Sequence, residues 1–255
     1  MAQIGKFTQP DNAPAYFIDF LEFLDKRDDI RRIRAAAAKH LTLSAGQKVL
    51  EITGPTGLAA GVDISSAMVE AASSRTPGSV GVEFRVGEAC AIPYPDGFFD
   101  AARSERVFLY LPDRLGAIHE IKRVLKPGGR LVLLDVDLDA TGVYSNKLTL
   151  ARKMTSIVAA TMPNPNSARD LPALARKAGL KDLQVEVLGL QTPYEFFLKV
   201  MAGSLRNAAD QGTAPAAEVE EFLEEQASFE ASGDFFQAWY FVLVSGTLRA
   251  GSNFS

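Results

Sequence analysis

Apolar residues recur at helical spacing from Tyr16 to His40, where Phe17, Phe20, Leu21, Leu24, Ile30 and Ile33 form one stripe that alanines 35–38 extend. The spacing predicts one helix, ended by Ser44, Ala45 and Gly46. The pattern then changes to short apolar runs between helical ones. Residues 48–53 (KVLEIT) predict a buried strand, and 58–64 (LAAGVDI) a second. Residues 82–86, 99–104 and 130–136 predict further strands, and 65–74 and 113–125 predict helices. The second of these helices stops at Lys126-Pro127-Gly128-Gly129, because proline cannot continue it and glycine allows the turn into a strand.

Residues 137–170 have no clear period and include the loop Met162-Pro163-Asn164-Pro165. Beyond it, 170–179 reads as a helix and 183–190 alternates like a strand. Residues 193–209 and 216–231 predict amphipathic helices, and 235–248 (FFQAWYFVLVSGTL) an aromatic closing strand. Strands alternating with helices in units this short predict an α/β fold, a parallel sheet covered on both faces. The reading is of one domain over 1–255. Its core lies at about 41–140, 170–190 and 235–250, and its covering helices at 15–40, 141–168 and 193–231.

Composition narrows the function. A chain of 255 residues, 47% hydrophobic and 23% charged, excludes a mainly disordered or collagen-like protein. A net charge of −4, with 27 scattered Lys and Arg, excludes the basic stripe of a nucleic-acid binder. The longest clean apolar run, 238–244, is too short for a membrane span, and the polar first 14 residues do not resemble a signal peptide. The single cysteine, Cys90, fits a reducing cytoplasm and is expected to be a small buried packing residue. His119 reads as a surface residue, and His40 as a partner of the last carbonyls of its helix. Two histidines without paired spacing argue against a structural metal, and Asp135, Asp137 and Asp139 read as solvated loop acids.

A parallel sheet binds ligands beyond the carboxyl ends of its strands. Asp63 stands at such an end and can accept two hydrogen bonds from a ribose diol; its competing role is to cap the helix beginning near Ser65. The stretches VLEI, GVDISSAMVEAA, VGEACAIPYPDGFFDAARSERVFLYLPD and IKRVLKPGGRLVLLDVD, in order over 47–137, resemble successive motifs of the class I S-adenosylmethionine-dependent methyltransferases. The chain is most similar to the small-molecule enzymes of the ubiquinone and menaquinone biosynthesis type. The resemblance implies a Rossmann-like sheet of seven strands with the last antiparallel, helices on both faces and a helical lid. It implies S-adenosylmethionine as cofactor, with Glu51 near its amino end, Asp63 on the ribose, and Ile64 against the adenine. Glu88 and Ala89 match the pair whose acid reaches the adenine amino group. Thr53 and Ser104 would also border the cofactor, with Arg106 and Tyr110 near the acceptor.

Two departures stand out. Tyr110 replaces a histidine common in relatives, and a tyrosine with its usual pKa of ~10 is a poor general base at neutral pH. The glycine loop after the first strand reads Thr53-Gly54-Pro55-Thr56-Gly57, with Thr53 and Pro55 at expected glycines. Too few residues follow it for the helix that a parallel crossover requires, typically about a dozen or more in all. Either a segment is missing near Ala60 and Gly61, where a chain break is then expected, or the deletion is real. The function expected is methyl transfer to an O, N or C atom of a small, partly apolar acceptor. The alternatives are a non-methylating rearrangement or cyclisation on the same fold, and a degenerate, cofactor-free binding protein.

Overall fold

A computed structural model describes residues 14–44, 46–52, 60–75 and 81–249. Seven strands make one sheet in the order β3-β2-β1-β4-β5-β7-β6. They are β1 (Val49–Ile52), β2 (Ala60–Asp63), β3 (Glu83–Val86), β4 (Phe99–Glu105), β5 (Leu125–Val143), β6 (Lys181–Thr192) and β7 (Gln237–Thr247). The strands β3, β2, β1, β4 and β5 are parallel neighbours, and β7 inserts antiparallel between β5 and β6. This is the Rossmann-like methyltransferase sheet.

The expected break at Ala60 and Gly61 is not found: both are consecutive residues of β2, with Ala60 beside Leu50 and Gly61 beside Glu51. β1 and β2 run parallel although only residues 53–59 join them, and those seven lie outside the described residues.

The predicted helix at 16–40 is two, α1 (Pro14–Asp25) and α2 (Asp28–Leu41). Arg27 between them has extended backbone, at φ −84° and ψ 127°, and its side chain bonds Asp29. The paired acids Asp28 and Asp29 favour a new helix start there, since negative charge is stabilised at a helix N-terminus. The helices α3 (Ser66–Arg75), α4 (Arg114–Val124) and α6 (Ser167–Lys177) follow, and α5 (Leu148–Ala159) lies where 137–170 showed no period. α7 (Tyr194–Phe197) passes through a π-helical turn at Leu198–Ala202 into α8 (Gly203–Asp210), and α9 is Ala216–Ser232. The expected turn at 126–129 is instead the irregular start of β5, where its register on β4 shifts: Gly128 has φ +79°, and a Cβ on Gly129 would stand 2.8 Å from the Lys126 carbonyl oxygen.

Each sheet face has its own apolar core. Leu50, Ala102, Leu131 and Leu133 meet α4 and α6, whereas Val49, Ala101, Val132, Leu134 and Trp239 pack with α1, α2 and α7. A third cluster, including Met154, Phe197, Leu205 and Phe222, joins α5, α7, α8 and α9 into a helical cover.

Two of the three acids at 135–139 are buried, correcting the expectation of solvated loop acids: Asp135 is 1% exposed and Asp137 5%. Asp137 is paired with Arg169 of α6. Asp135 accepts from the backbone N–H of Leu109 at 2.9 Å, from Ser167 Oγ at 2.9 Å and from the N–H of Val136 at 2.8 Å. It therefore ties β5, the loop after β4 and the start of α6 at one point. Burial pushes its carboxyl up to about 7, against the opposing pull of these hydrogen bonds and of Arg106.

Folding thus adds a proton to Asp135 between its ordinary range near ~4 and its folded value. The stability this group contributes is complete below pH ~4 and is lost as pH rises through about 7. Asp135→Asn abolishes that slope: thermal melts from pH 5 to 8 should show the wild type losing stability toward pH 8 relative to the variant. Parallel melting curves would contradict this protonation.

Candidate active site

The strands β2, β1 and β4 are adjacent and end together, which brings Asp63, Glu51, Ser104 and Glu105 to one edge of the sheet. Alternation divides them between its faces. Glu51 and Glu105 turn toward α1 and α2, with Arg103 between them in sequence parity and directly beside Glu51 in register. Arg103 Nε donates to Glu51 Oε2 at 2.6 Å, and both residues are under 5% exposed. Glu105, equally buried, accepts from Arg34 Nε through both oxygens at 3.1 Å. Arg34 is in turn paired with Asp25 of α1, and Arg106 Nε stands 3.3 Å from Glu105 Oε1. Burial alone would raise the Glu105 carboxyl, but Arg106, Arg34 and Arg103 together hold it below the usual carboxylate range. Arg103 and Arg34 were not singled out in the sequence. The available signal was Arg103 itself, a charge inside an otherwise apolar strand at the same parity as Glu51.

The helix-capping role weighed for Asp63 falls to Ser65, and Asp63 braces that cap. Its Oδ1 accepts from the Ser65 N–H at 2.8 Å, and Ser65 Oγ accepts from the Met68 N–H at 3.2 Å, so one carboxylate and one hydroxyl build the start of α3. A carboxylate offers about four acceptor sites, so accepting from the Ser65 N–H is compatible with a diol as well. Ile64 is 61% exposed, an apolar side chain held in solvent beside Asp63. The Gly87 N–H donates to the Asp63 carbonyl at 3.0 Å, which sets the exposed Glu88 and half-buried Ala89 next to the end of β2. Thr53 lies outside the described residues. Ser104 is 1% exposed, and its Oγ has no hydrogen-bond partner among the described residues.

The chain beyond β4 turns sharply. Arg106 has φ +56°, the left-handed region, and its N–H donates to the Leu134 carbonyl at 2.8 Å. Tyr110 packs on the α1/α2 face of the sheet, and burial raises its hydroxyl above its ordinary range. It is a proton donor at neutral pH. The exposed apolar Ile64 beside Asp63 and the orphaned buried hydroxyl of Ser104 together fit a nucleoside cofactor laid over these strand ends.

The other candidates fall elsewhere. Cys90 is exposed rather than buried, with Sγ 3.5 Å from the Asp113 carbonyl oxygen; partial burial and the nearby Asp113, Glu88 and Glu120 push its thiol up. His119 is on the surface as expected. His40 contacts Ser245 Oγ at 2.9 Å and Glu186 Oε2 at 3.4 Å, through its ring, instead of helix-end carbonyls. Among the described residues no group of three His, Cys, Asp or Glu is arranged to hold a metal, and no helix is long and apolar enough to cross a membrane.

Residues 43–133 match the family described as "Methyltransferase domain". A demethylmenaquinone methyltransferase of Paenarthrobacter aurescens is 28% identical over 178 residues, 62% of this chain and 69% of its own length. Methyltransferase GfsG of Streptomyces halstedii is 31% identical over 176 residues, 60% of each chain. The solved structure of the cyclase SpnF is similar in fold, with a TM-score of 0.56 at 21% identity over 96% of each chain. The seven-stranded sheet and these matches lead to one conclusion: this chain has the fold of the class I, S-adenosylmethionine-dependent methyltransferases and carries their domain signature over residues 43–133.

Proposed function

We propose that this chain methylates an O, N or C atom of a small, partly apolar acceptor at the carboxyl edge of β2, β1 and β4. The observation that carries the reading is the juxtaposition of Asp63, exposed Ile64 and orphaned Ser104 at one edge. When bound, S-adenosylmethionine supplies a methyl group on a sulfonium, a good leaving group that departs as a neutral thioether. Asp63 accepts from the ribose hydroxyls, Ile64 covers one adenine face, and Glu88 with Ala89 border the adenine edge. Glu51, fixed by Arg103, presents negative charge toward the amino end, and Ser104 supplies a hydroxyl below it.

Arg106 and Tyr110 face the acceptor side. Tyr110 holds its proton, so its part is to orient the acceptor as a hydrogen-bond donor while the acceptor's own proton leaves to solvent. Positioning of this kind can supply roughly 7–11 kcal/mol of a barrier, enough for transfer without a protein base. The aromatic wall of Phe20, Phe23 and Phe196 on the same face favours an apolar acceptor, as the demethylmenaquinone relative's name also does. A cytoplasmic location belongs to the same reading.

The shortened connection at 53–59 favours a second reading, in which the fold serves a rearrangement without methyl transfer. Incubation with a panel of small apolar hydroxyl, amine and quinol compounds and S-adenosylmethionine separates the two. A product heavier by one methylene supports methylation, whereas an altered product of unchanged mass supports rearrangement.

Two substitutions test the residue roles. Asp63→Ala should weaken S-adenosylhomocysteine binding about 10- to 100-fold by calorimetry, the scale of a lost charge-assisted pair of hydrogen bonds, with little loss of folded protein. Unchanged affinity would remove Asp63 from the cofactor site. Glu51→Gln acts mainly on folding, because it removes the carboxylate charge in closest contact with the buried Arg103 guanidinium; stability measured by urea unfolding should fall on the order of 3 kcal/mol.

A further inference from the structure

The loop Met162-Pro163-Asn164-Pro165 joins α5 of the helical cover to α6 on the sheet, and it meets residues 106–111. Asn164 Nδ2 donates to the Leu111 carbonyl at 2.9 Å and lies 3.3 and 3.4 Å from the carbonyl oxygens of Leu109 and Phe108. A primary amide has two N–H groups, so the Leu111 carbonyl takes one and the other two carbonyls share the second. The Asn164 backbone N–H adds a bond to the Leu109 carbonyl at 3.1 Å. These carbonyls belong to a turn, in which the Tyr110 N–H donates to the Val107 carbonyl and the Leu111 N–H to that of Phe108. Phe108 and Leu109 are buried, and buried backbone groups require partners.

Leu109 is held at both of its backbone groups from outside the turn. Its carbonyl meets Asn164, and its N–H donates to Asp135 Oδ2 at 2.9 Å. The two anchors are themselves joined. Ser167 donates through Oγ to Asp135 at 2.9 Å and through its backbone N–H to the Asn164 carbonyl at 3.0 Å. The Leu138 N–H of β5 donates to the Pro165 carbonyl at 2.9 Å, which fastens the loop to the sheet. Prolines on either side of Asn164 fix their own φ, and Pro165 bars Asn164 from the helical region. The amide is thus presented from a stiff support, with little entropy left to lose.

The turn begins at Arg106, whose left-handed backbone persists only because its surroundings hold it. It ends at Tyr110, so the two residues assigned to the acceptor side are its ends. We propose that Asn164 is a positioning residue: with Asp135 on the same Leu109, it sets the turn and thereby the placement of Arg106 and Tyr110 against the acceptor. The proposal deepens the methyltransferase reading and, as a statement about the acceptor side, rests on it. Asn164 also ends the segment leading from α5, so the seating of the helical cover and the shape of the turn are joined through one side chain.

Protein carrying 3-fluorotyrosine gives one ¹⁹F signal for each of its six tyrosines, and Tyr110→Phe identifies that of Tyr110. Asn164→Asp, equal in shape but without a donor at neutral pH, should move or broaden this signal. Asn164→Ala should do the same and serves if the added charge prevents folding. Phe222→Leu, a cavity in the cover remote from the turn, should lower stability and leave the Tyr110 signal in place. With an acceptor from the compound panel, both Asn164 variants should lower kcat about 10- to 100-fold while the KM for S-adenosylmethionine holds. An unmoved Tyr110 signal, an equal displacement in Phe222→Leu, or an undiminished kcat would overturn the role. S-adenosylhomocysteine binding to the unsubstituted protein, measured by calorimetry, keeps the two readings apart. If it fails while the Tyr110 signal responds to Asn164, the methyltransferase reading falls and the clamp on the turn stands. If it succeeds while that signal stays fixed, the positioning role falls alone.

Discussion

The structure depends on keeping charge neutral inside an apolar sheet. Glu51, Arg103 and Glu105 project from adjoining strands into the layer beneath α1 and α2, each under 5% exposed. Such charges are tolerated only when paired, because an isolated buried ion loses several kcal/mol of hydration. Arg103 pairs across β4 and β1, and Arg34 reaches down from α2 to Glu105 while holding Asp25 of α1. The register of β1 on β4, the seating of α2 and the angle of α1 are thus three solutions to one electrostatic demand. Replacing the set by apolar residues could be neutral for stability. What the charges add is specificity: only one strand register places Arg103 beside Glu51.

The same edge accommodates an unusual connection. Parallel neighbours ordinarily need about a dozen or more residues to cross over, and here seven separate β1 from β2. The strands pair parallel all the same, with β2 also held on its other side by all four residues of β3. The acid at the end of β2 consequently keeps its place relative to β1 and β4.

Much of this was legible in the residues. Short apolar runs separated by helical ones encode the parallel sheet, and Lys126-Pro127-Gly128-Gly129 marks the end of α4 and the irregular start of β5 through a requirement for positive φ and close backbone approach. The place of Asp63 and Ile64 at the end of β2 was legible because a strand end is a pattern boundary. The break at Arg27 has two local signs, an apolar stripe that slips out of phase over the six residues from Leu24 to Ile30 and the acid pair that favours a new start. Asp135 and Asp137 looked solvated because alternation predicts which face a residue takes but not what lies over it; α6 and the loop after β4 arrive from distant sequence. Cys90 failed the opposite way, a side chain of buried habit on an exposed turn. The buried ion network needed two strands and two helices together, and no local period carries that.

Arg106 shows where selection on this molecule pulls in two directions. A non-glycine residue at φ +56° carries backbone strain of order 1–3 kcal/mol, and glycine would relieve it. Glycine would also delete the guanidinium beside Glu105 and open the turn that aims residues 106–111. Backbone relaxation and ion pairing thus oppose each other at this position: glycine would free the turn, and arginine keeps Glu105 charged within an apolar layer. The residue found there is a compromise between two sources of stability within a single codon.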